Sequence, residues 1–326
     1  MLAIGVIANT LLSSGTRIVQ QNPHLHKSFD SMKISPPIII MIFSSIGTII
    51  ILFAVRRIVK PIKELSNASK QVAKGNFDVH IENDSDDELG QLANDFNAMA
   101  KELKSIDKMR TEFVSNVSHE FRTPITSIKG FASLINDGKL SEQEIAEYSA
   151  IIVSESERLM NLSGNLLKIS ELDSQAIRAE GEEYFLDEQI RKIVVILEPI
   201  WSKKGVKFDI NLDQVKYKCN HDLLQQVWLN ILQNAIKFTP EDGEITVNLF
   251  NDGEAIRTEI KNTGEGISDV DILKIFEPFY KTDVSHHSEG NGLGLTIVKK
   301  IVDILGGEIS VSNSPQTSFE IILPNK

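Results

Sequence analysis

The sequence predicts a multidomain chain: a transmembrane helix, then a helical relay and a dimeric four-helix bundle, then an α/β sandwich. Three observations carry that expectation. Residues 34–55, ISPPIIIMIFSSIGTIIILFAV, contain no charged side chain. From Arg56 to about Ile169, apolar residues recur every three or four positions, the period of amphipathic helices. Beyond residue 184 that period gives way to short alternating runs separated by turn residues, a mixture of helix and strand.

The 326 residues are enough for two or three domains, and 41% of them are hydrophobic. A net charge of -11 with no compensating basic face excludes a nucleic-acid binder. The single cysteine, Cys219, cannot form an internal disulfide, which suits a mostly cytoplasmic protein.

As a helix, residues 34–55 would extend about 33 Å, enough to cross a bilayer core. Arg56, Arg57, Lys60 and Lys63 follow at once, which by the positive-inside rule places the remainder in the cytoplasm. Residues 1–33 hold an apolar run from Leu2 to Leu12, too short to span and readable as part of a first membrane segment, then a short external loop. His24 and His26 in that loop are too few for a metal site.

Residues 56–107 carry two amphipathic helices around an extended connector. The first runs through Ile58, Ile62, Leu65 and Val72 with Pro61 in its first turn; the second uses Leu89, Leu92, Phe96, Met99, Leu103 and Ile106. Gly75 stops the first helix, Phe77, Val79 and Ile81 alternate, and the acidic stretch from Asp84 to Glu88 starts the second. Such seams bury themselves only against a partner, so a parallel homodimer is expected.

Residues 108–173 continue the seam through Phe113, Val117, Phe121, Ile125 and Ile128, with His119 free of the buried stripe. A neutral imidazole beside a carboxylate, His119 next to Glu120, can act as a nucleophile; a surface histidine on a helix is the bland alternative. Pro124 should loosen the helix, and Asn136-Asp137-Gly138 should end it. Ser141 with Glu144 forms a capping box for a second helix, through Ile145, Tyr148, Ile152, Leu159, Leu162, Leu166 and Ile169. Two such hairpins make a four-helix bundle.

A polar linker, 173–183, leads to the sandwich at 184–326: a helix from Asp187 to Lys204, a strand from Lys207 to Leu212, and a helix from Asp222 to Phe238. A hairpin turned at Asn251-Asp252-Gly253 follows, then a helix from Gly292 to Leu305 and two last strands. Four motifs sit on these elements. Asn230 and Asn234 lie four apart on one helix face, followed by Lys237 and Phe238; carboxamide oxygens suit Mg²⁺. Asn262-Thr263-Gly264-Glu265-Gly266-Ile267 has glycines that admit a flat base. Phe276-Glu277-Pro278-Phe279-Tyr280 precedes Lys281. Gly290-Asn291-Gly292-Leu293-Gly294-Leu295 opens a helix, where free amides favour phosphate. Each is weak alone; their order and spacing are specific.

The block His119-Glu120-Phe121-Arg122-Thr123-Pro124 resembles the phosphoacceptor box of two-component sensor histidine kinases, and the resemblance extends over nearly the whole chain. Residues 56–107 resemble the HAMP relay, with Pro61 and Glu88-Leu89-Gly90 in place, and 108–173 resemble the dimerisation and histidine-phosphotransfer domain. The four later motifs resemble the N, G1, F and G2 boxes of the ATP-binding fold shared with gyrase and the Hsp90 chaperones. The resemblance implies that His119 is phosphorylated from ATP, with Glu120 acting on its other ring nitrogen and Arg122 near the phosphate. It implies Mg²⁺ at Asn234, phosphate contacts from Asn230 and Lys237, and a mobile lid over Lys281 to Glu289. It implies transfer to an aspartate of a cognate response regulator, and, through Glu120 and Thr123, phosphatase action on that regulator. Two departures stand out. Asn262 replaces the aspartate that accepts the adenine amino group in the family. His286 occupies a lid position where arginine is common, and Ser314 to Ser318 lacks the usual glycine. They leave a degenerate kinase, acting as phosphatase or scaffold, as the alternative. A gyrase-type or chaperone-type ATPase is disfavoured by the span, the relay and the His119 box.

Overall fold

The computed structural model describes Arg17, Gln21 and residues 36–82, 86–138, 140–174, 180–282, 290–313 and 316–325. The expectations for Leu2–Leu12, His24 and His26 lie outside those residues. The chain divides into two compact units, Met1–Thr111 and Glu112–Lys326.

In the first unit, α1 (Pro36–Ala54) is a 19-residue helix without a charge in its first or last turn. At 1.5 Å per residue it is about 28 Å long. Met41 and Phe43 are 70% and 68% exposed, and the helical stretch Met41–Val72 that runs on from α1 is long and apolar enough to cross a membrane. A π-helical turn, Val55–Val59, carries Arg56 and Arg57 and joins it to α2 (Lys60–Val72), with Pro61 in the first turn. Gly75 adopts φ +86°, a conformation open to glycine at no steric cost, and the helix stops there.

The expected alternation of Phe77, Val79 and Ile81 is an extended segment rather than a paired strand. What fixes it is a residue the sequence did not flag. Asn97 accepts from the Ile81 amide and donates to the Ile81 carbonyl, both at 2.9 Å, standing in for a strand partner. Ala68, Ile81, Ala93, Phe96 and Ala100 form the small core of this unit. The following helix, α3 (Glu88–Asn136), is capped by Asp87, whose Oδ1 accepts from the Leu89 and Gly90 amides. Asp84 and Ser85 of the expected acidic start lie outside the described set.

In the second unit, the helix continues through Pro124 to Asn136. Gly138, at φ +67°, turns the chain, and the Ser141–Glu144 capping box opens α4 (Glu142–Asp173). The Phe131 and Tyr148 rings meet at 5.0 Å between the two helices.

The expected single helix from Asp187 to Lys204 is two, α5 (Leu186–Ile196) and α6 (Glu198–Lys203), because Pro199 cannot continue the first. A two-stranded sheet of β1 (Glu183–Phe185) and β3 (Lys216–Lys218) was not foreseen. The main sheet has the order β2 (Lys207–Leu212), β4 (Glu244–Asn251), β5 (Ala255–Asn262), β7 (Thr317–Pro324), β6 (Glu308–Asn313), with only β2 and β4 parallel. Against it pack α5, α7 (His221–Phe238) and α9 (Gly294–Ile304), while the short α8 (Asp269–Ile272) follows β5. The last helix starts at Gly294 rather than Gly292, since Gly292 has φ +68° and cannot belong to a right-handed helix.

Candidate functional site

The stretch around His119 lies on α3 with Phe113, Val117, Phe121 and Ile128 half-buried and Pro124 buried, whereas Ile125 remains 51% exposed. His119, Arg122 and Thr123 are exposed on the other face. The Thr123 hydroxyl donates to the His119 carbonyl at 3.4 Å, within the helix. Glu120 is held from two sides. Its Oε2 accepts from Arg158 Nη2 on α4 at 3.2 Å, and its Oε1 accepts from Lys281 Nζ at 3.1 Å. Arg158 was invisible as a partner in the sequence, because only the hairpin register brings it opposite a residue 38 positions earlier.

The second group of residues begins with α7. Asn220 caps it by accepting from the Asp222 amide at 3.0 Å. The helix buries Leu223, Leu224, Val227, Trp228, Ile231, Leu232, Ala235 and Ile236 against the sheet. Asn230, Asn234 and Lys237 are thereby left half-buried on another face, and Phe238 ends the helix with its ring 4.9 Å from Lys237 Nζ.

Glycine positions report how closely the other loops approach. A Cβ on Gly294 would lie 3.1 Å from Asn230 Oδ1, and one on Gly290 would lie 3.2 Å from Lys237 Nζ. The loop that opens α9 therefore runs beside Asn230 and Lys237. Gly292 accepts at its carbonyl from the Phe279 amide at 3.0 Å, and a Cβ there would come 2.7 Å from the Phe279 carbonyl carbon. Phe279 itself takes φ +65°, uncommon for a residue with a side chain, so the two loops lock each other. Leu293 is fully buried beneath them and Leu295 half-buried. Tyr280 donates its hydroxyl to Asp271 Oδ1, and this bond, then that from Ser268, holds the Asp271 carboxyl below its ordinary 3.8.

Asn262, the last residue of β5, is 3% exposed. A Cβ on Gly264 would overlap the Phe238 carbonyl and lie 2.7 Å from Asn262 Nδ2, so that position tolerates only glycine. Gly266 is close to Asn313, whose Oδ1 accepts from the Ile267 amide at 3.1 Å while its Nδ2 donates to the Ile267 carbonyl. Asn313 was also missed: it lies 46 residues from the loop it fixes.

Among the described residues, Asn230 Nδ2, Asn262 Nδ2 and Thr296 Oγ1 are buried without a hydrogen-bond partner. Buried polar atoms left unpaired are uncommon and call for an explanation. Three orphaned groups, a glycine-lined wall and the unsatisfied first amides of an 11-residue helix fit a nucleotide, and the half-buried carboxamide of Asn234 fits its magnesium. Residues 283–289, including His286, and Ser314 lie outside the described set.

The sandwich also touches the helical hairpin. Besides Lys281 and Glu120, the Phe113 and Phe279 rings meet at 5.5 Å, Asn165 Nδ2 donates to Asn291 Oδ1 at 3.5 Å, and Lys300 pairs with Asp173.

Three family models match the chain: the HAMP domain over residues 53–105, the His Kinase A (phospho-acceptor) domain over 109–175, and the histidine kinase-, DNA gyrase B- and HSP90-like ATPase over 219–326. Over 322 residues the chain is 31% identical to the heme sensor protein HssS of Staphylococcus aureus, covering 97% of this chain and 69% of that protein. The HssS of Staphylococcus saprophyticus is 32% identical over 308 residues, covering 94% and 66%. Among solved structures, the Acinetobacter baumannii histidine kinase AdeS superposes with a TM-score of 0.53 at 25% identity, over 63% of this chain and 97% of that one. Histidine kinase ThkA in complex with the response regulator TrrA gives 0.58 at 27% identity, over 68% and 64%. A helical relay, a phosphoacceptor helix and an ATP-binding sandwich in this order are thus matched both separately and along one relative, and the chain belongs to the two-component sensor histidine kinases, ATP-dependent protein-histidine kinases.

Proposed function

We propose that this chain is a homodimeric membrane kinase that phosphorylates its own His119 and passes the phosphoryl group to an aspartate of a response regulator. The observation that carries the reading is the position of Glu120. It neighbours an exposed histidine on α3 and is ion-paired to Lys281, next to the Phe279 loop of the sandwich.

Bound MgATP supplies the γ-phosphoryl group and the metal charge that offsets negative charge developing on it. Asn234 holds the metal, and Asn230, Lys237, Gly290, Gly292, Leu293, Gly294 and Leu295 frame the phosphates. Asn262, Gly264, Gly266, Ile267 and Phe238 receive the base. One ring nitrogen of His119 accepts the phosphoryl group as its bond to the bridging oxygen breaks and ADP leaves, while Glu120 takes the proton from the other nitrogen and Arg122 lies near the transferred charge. In the arrangement described above the Glu120 carboxylate is already engaged by Arg158 and Lys281. This is a resting geometry, and Glu120 must leave Lys281 to work as a base.

The same helix supports hydrolysis of the regulator's phosphoaspartate to aspartate and inorganic phosphate. Thr123, one turn from His119 and exposed, positions water against the regulator's phosphoaspartate, as the Glu120-x-x-Thr123 spacing suggests. Exposed apolar residues on both hairpin helices, Val114, Ile125, Val153, Met160 and Leu167 among them, support a dimer. The length and exposure of α1, followed by Arg56, Arg57, Lys60 and Lys63, support a membrane span with a cytoplasmic kinase.

The test is incubation of the full chain, in detergent, with γ-labelled ATP and Mg²⁺. Acid-labile, alkali-stable label that is lost in His119→Gln and in Asn234→Asp is the expected result. No label on a folded, dimeric protein would overturn the kinase reaction and leave the phosphatase or scaffold role.

A further inference from the structure

The base-reading end of the cleft holds the one departure from the family that lies in the buried site, and its geometry says what the departure does. Asn262 closes β5 between Ile245 on β4 and Thr317 on β7, so its backbone is fixed in the sheet from both sides. Its side chain is buried, and Nδ2 has no partner among the described residues. That nitrogen packs against Gly264, where a Cβ would come within 2.7 Å of it. The carboxamide that closes β5 therefore keeps its N–H donor buried and unpaired, and turning that donor toward a ligand acceptor would satisfy it.

A carboxylate at this position can only accept, so it pairs with an amino group on carbon 6 of a purine and meets a carbonyl there as acceptor against acceptor, with no proton to share. A carboxamide carries an acceptor and a donor that exchange places by a half turn about its last bond. With Oδ1 forward it accepts from the amino group of adenine, and Nδ2 stays orphaned. With Nδ2 forward it donates to a 6-oxo group, and the orphan becomes the carbonyl, the less demanding of the two.

We infer that Asn262 opens this site to 6-oxopurine nucleotides, so that inosine-type and guanosine-type triphosphates bind alongside ATP. The inference rests on the reading of the cleft as a nucleotide site and names its substrate class more broadly.

The measurement is displacement of a fluorescent trinitrophenyl-ATP from the full chain in detergent by MgATP and by MgITP, whose base has the 6-oxo group without the extra 2-amino group of guanine. Thermal shift with the same two ligands is an independent readout. MgITP should bind within about tenfold of MgATP, and Asn262→Asp should widen the ratio by about tenfold or more, through weaker ITP binding. ATP binding with ITP excluded by about a hundredfold, or an unchanged ratio in the Asp variant, overturns the inference and leaves the kinase reading intact. If neither nucleotide binds, the nucleotide reading falls and this inference with it. Should the Asp variant fail to fold, the wild-type ratio alone decides.

Discussion

The α/β sandwich and the helical hairpin before it bury their apolar side chains on different terms. In the sandwich, Trp228, Leu186, Ile190, Leu223, Leu224, Ile245 and Ile260 are all below 2% exposed within one chain. On the hairpin helices, Val114, Val153 and Leu167 stand at 57%, 56% and 62%. A sheet covered by helices closes its own core, whereas a two-helix hairpin has an apolar stripe on a face that a single chain leaves open. The sandwich thus closes its core within one chain, with Leu162, Ile169 and Leu172 of α4 joining it, and the hairpin keeps an open apolar stripe.

The largest test of this contrast is Trp228→Ala. The indole is fully buried and its Nε1 donates to Gln189 Oε1 at 3.1 Å. Removing it should cost about 3–5 kcal/mol in denaturant unfolding, with a midpoint independent of protein concentration. A cost under about 1 kcal/mol would mean that the sandwich core is not close-packed.

Next in size is the double variant Val153→Glu, Met160→Glu on α4. Charges on the open stripe should weaken self-association by about a hundredfold, roughly 3 kcal/mol, in sedimentation equilibrium. The unfolding of the sandwich should not move. If association is unaffected, the dimer uses another surface.

The contact between the two parts gives a smaller effect. Glu120 and Lys281 are 18% and 16% exposed at the side chain, partly shielded but not dry. A double-mutant cycle with Glu120→Gln and Lys281→Met should return a coupling of about 1 kcal/mol. A coupling of zero would mean that the resting contact does not persist in solution.

The smallest effect belongs to the exposed hairpin turn. The Asp252 carboxyl is held below its ordinary 3.8, first by the Ala255 amide and then by Arg257. A carboxyl whose folded value is depressed adds stability that is present above pH 3.8 and is lost as the pH falls through the lower, folded value. Asp252→Asn should flatten that acid limb in melts between about pH 5 and pH 2 and change little at pH 7. An unaltered acid limb would remove the turn from the acid response.

Much of this was legible in the residues. Ser141 and Glu144 announced the start of α4 because a capping box is made within four residues. The β4–β5 hairpin followed from alternation and from Asn251-Asp252-Gly253. The N, G1, F and G2 motifs could be placed on their elements for the same reason. What escaped was set by partners distant in the chain: β1 and β3 pair across about thirty residues of sequence, and three-residue strands carry too few side chains to show a period. Pro199 was present to be read, but a continuous apolar pattern masked the break it makes.

By itself the sequence determined the order of parts, the apolar helix α1, the exposed histidine beside Glu120 and the glycines of the nucleotide loops, because periodicity, caps and turn residues act over a few positions. Tertiary structure alone decided that Arg158 and Lys281 clamp Glu120, that Asn97 and Asn313 hold segments which lack strand partners, and that Asn262 keeps an unpaired donor in a buried wall. Each of those depends on distance in space between residues far apart in the chain, and on which polar atoms burial deprives of water.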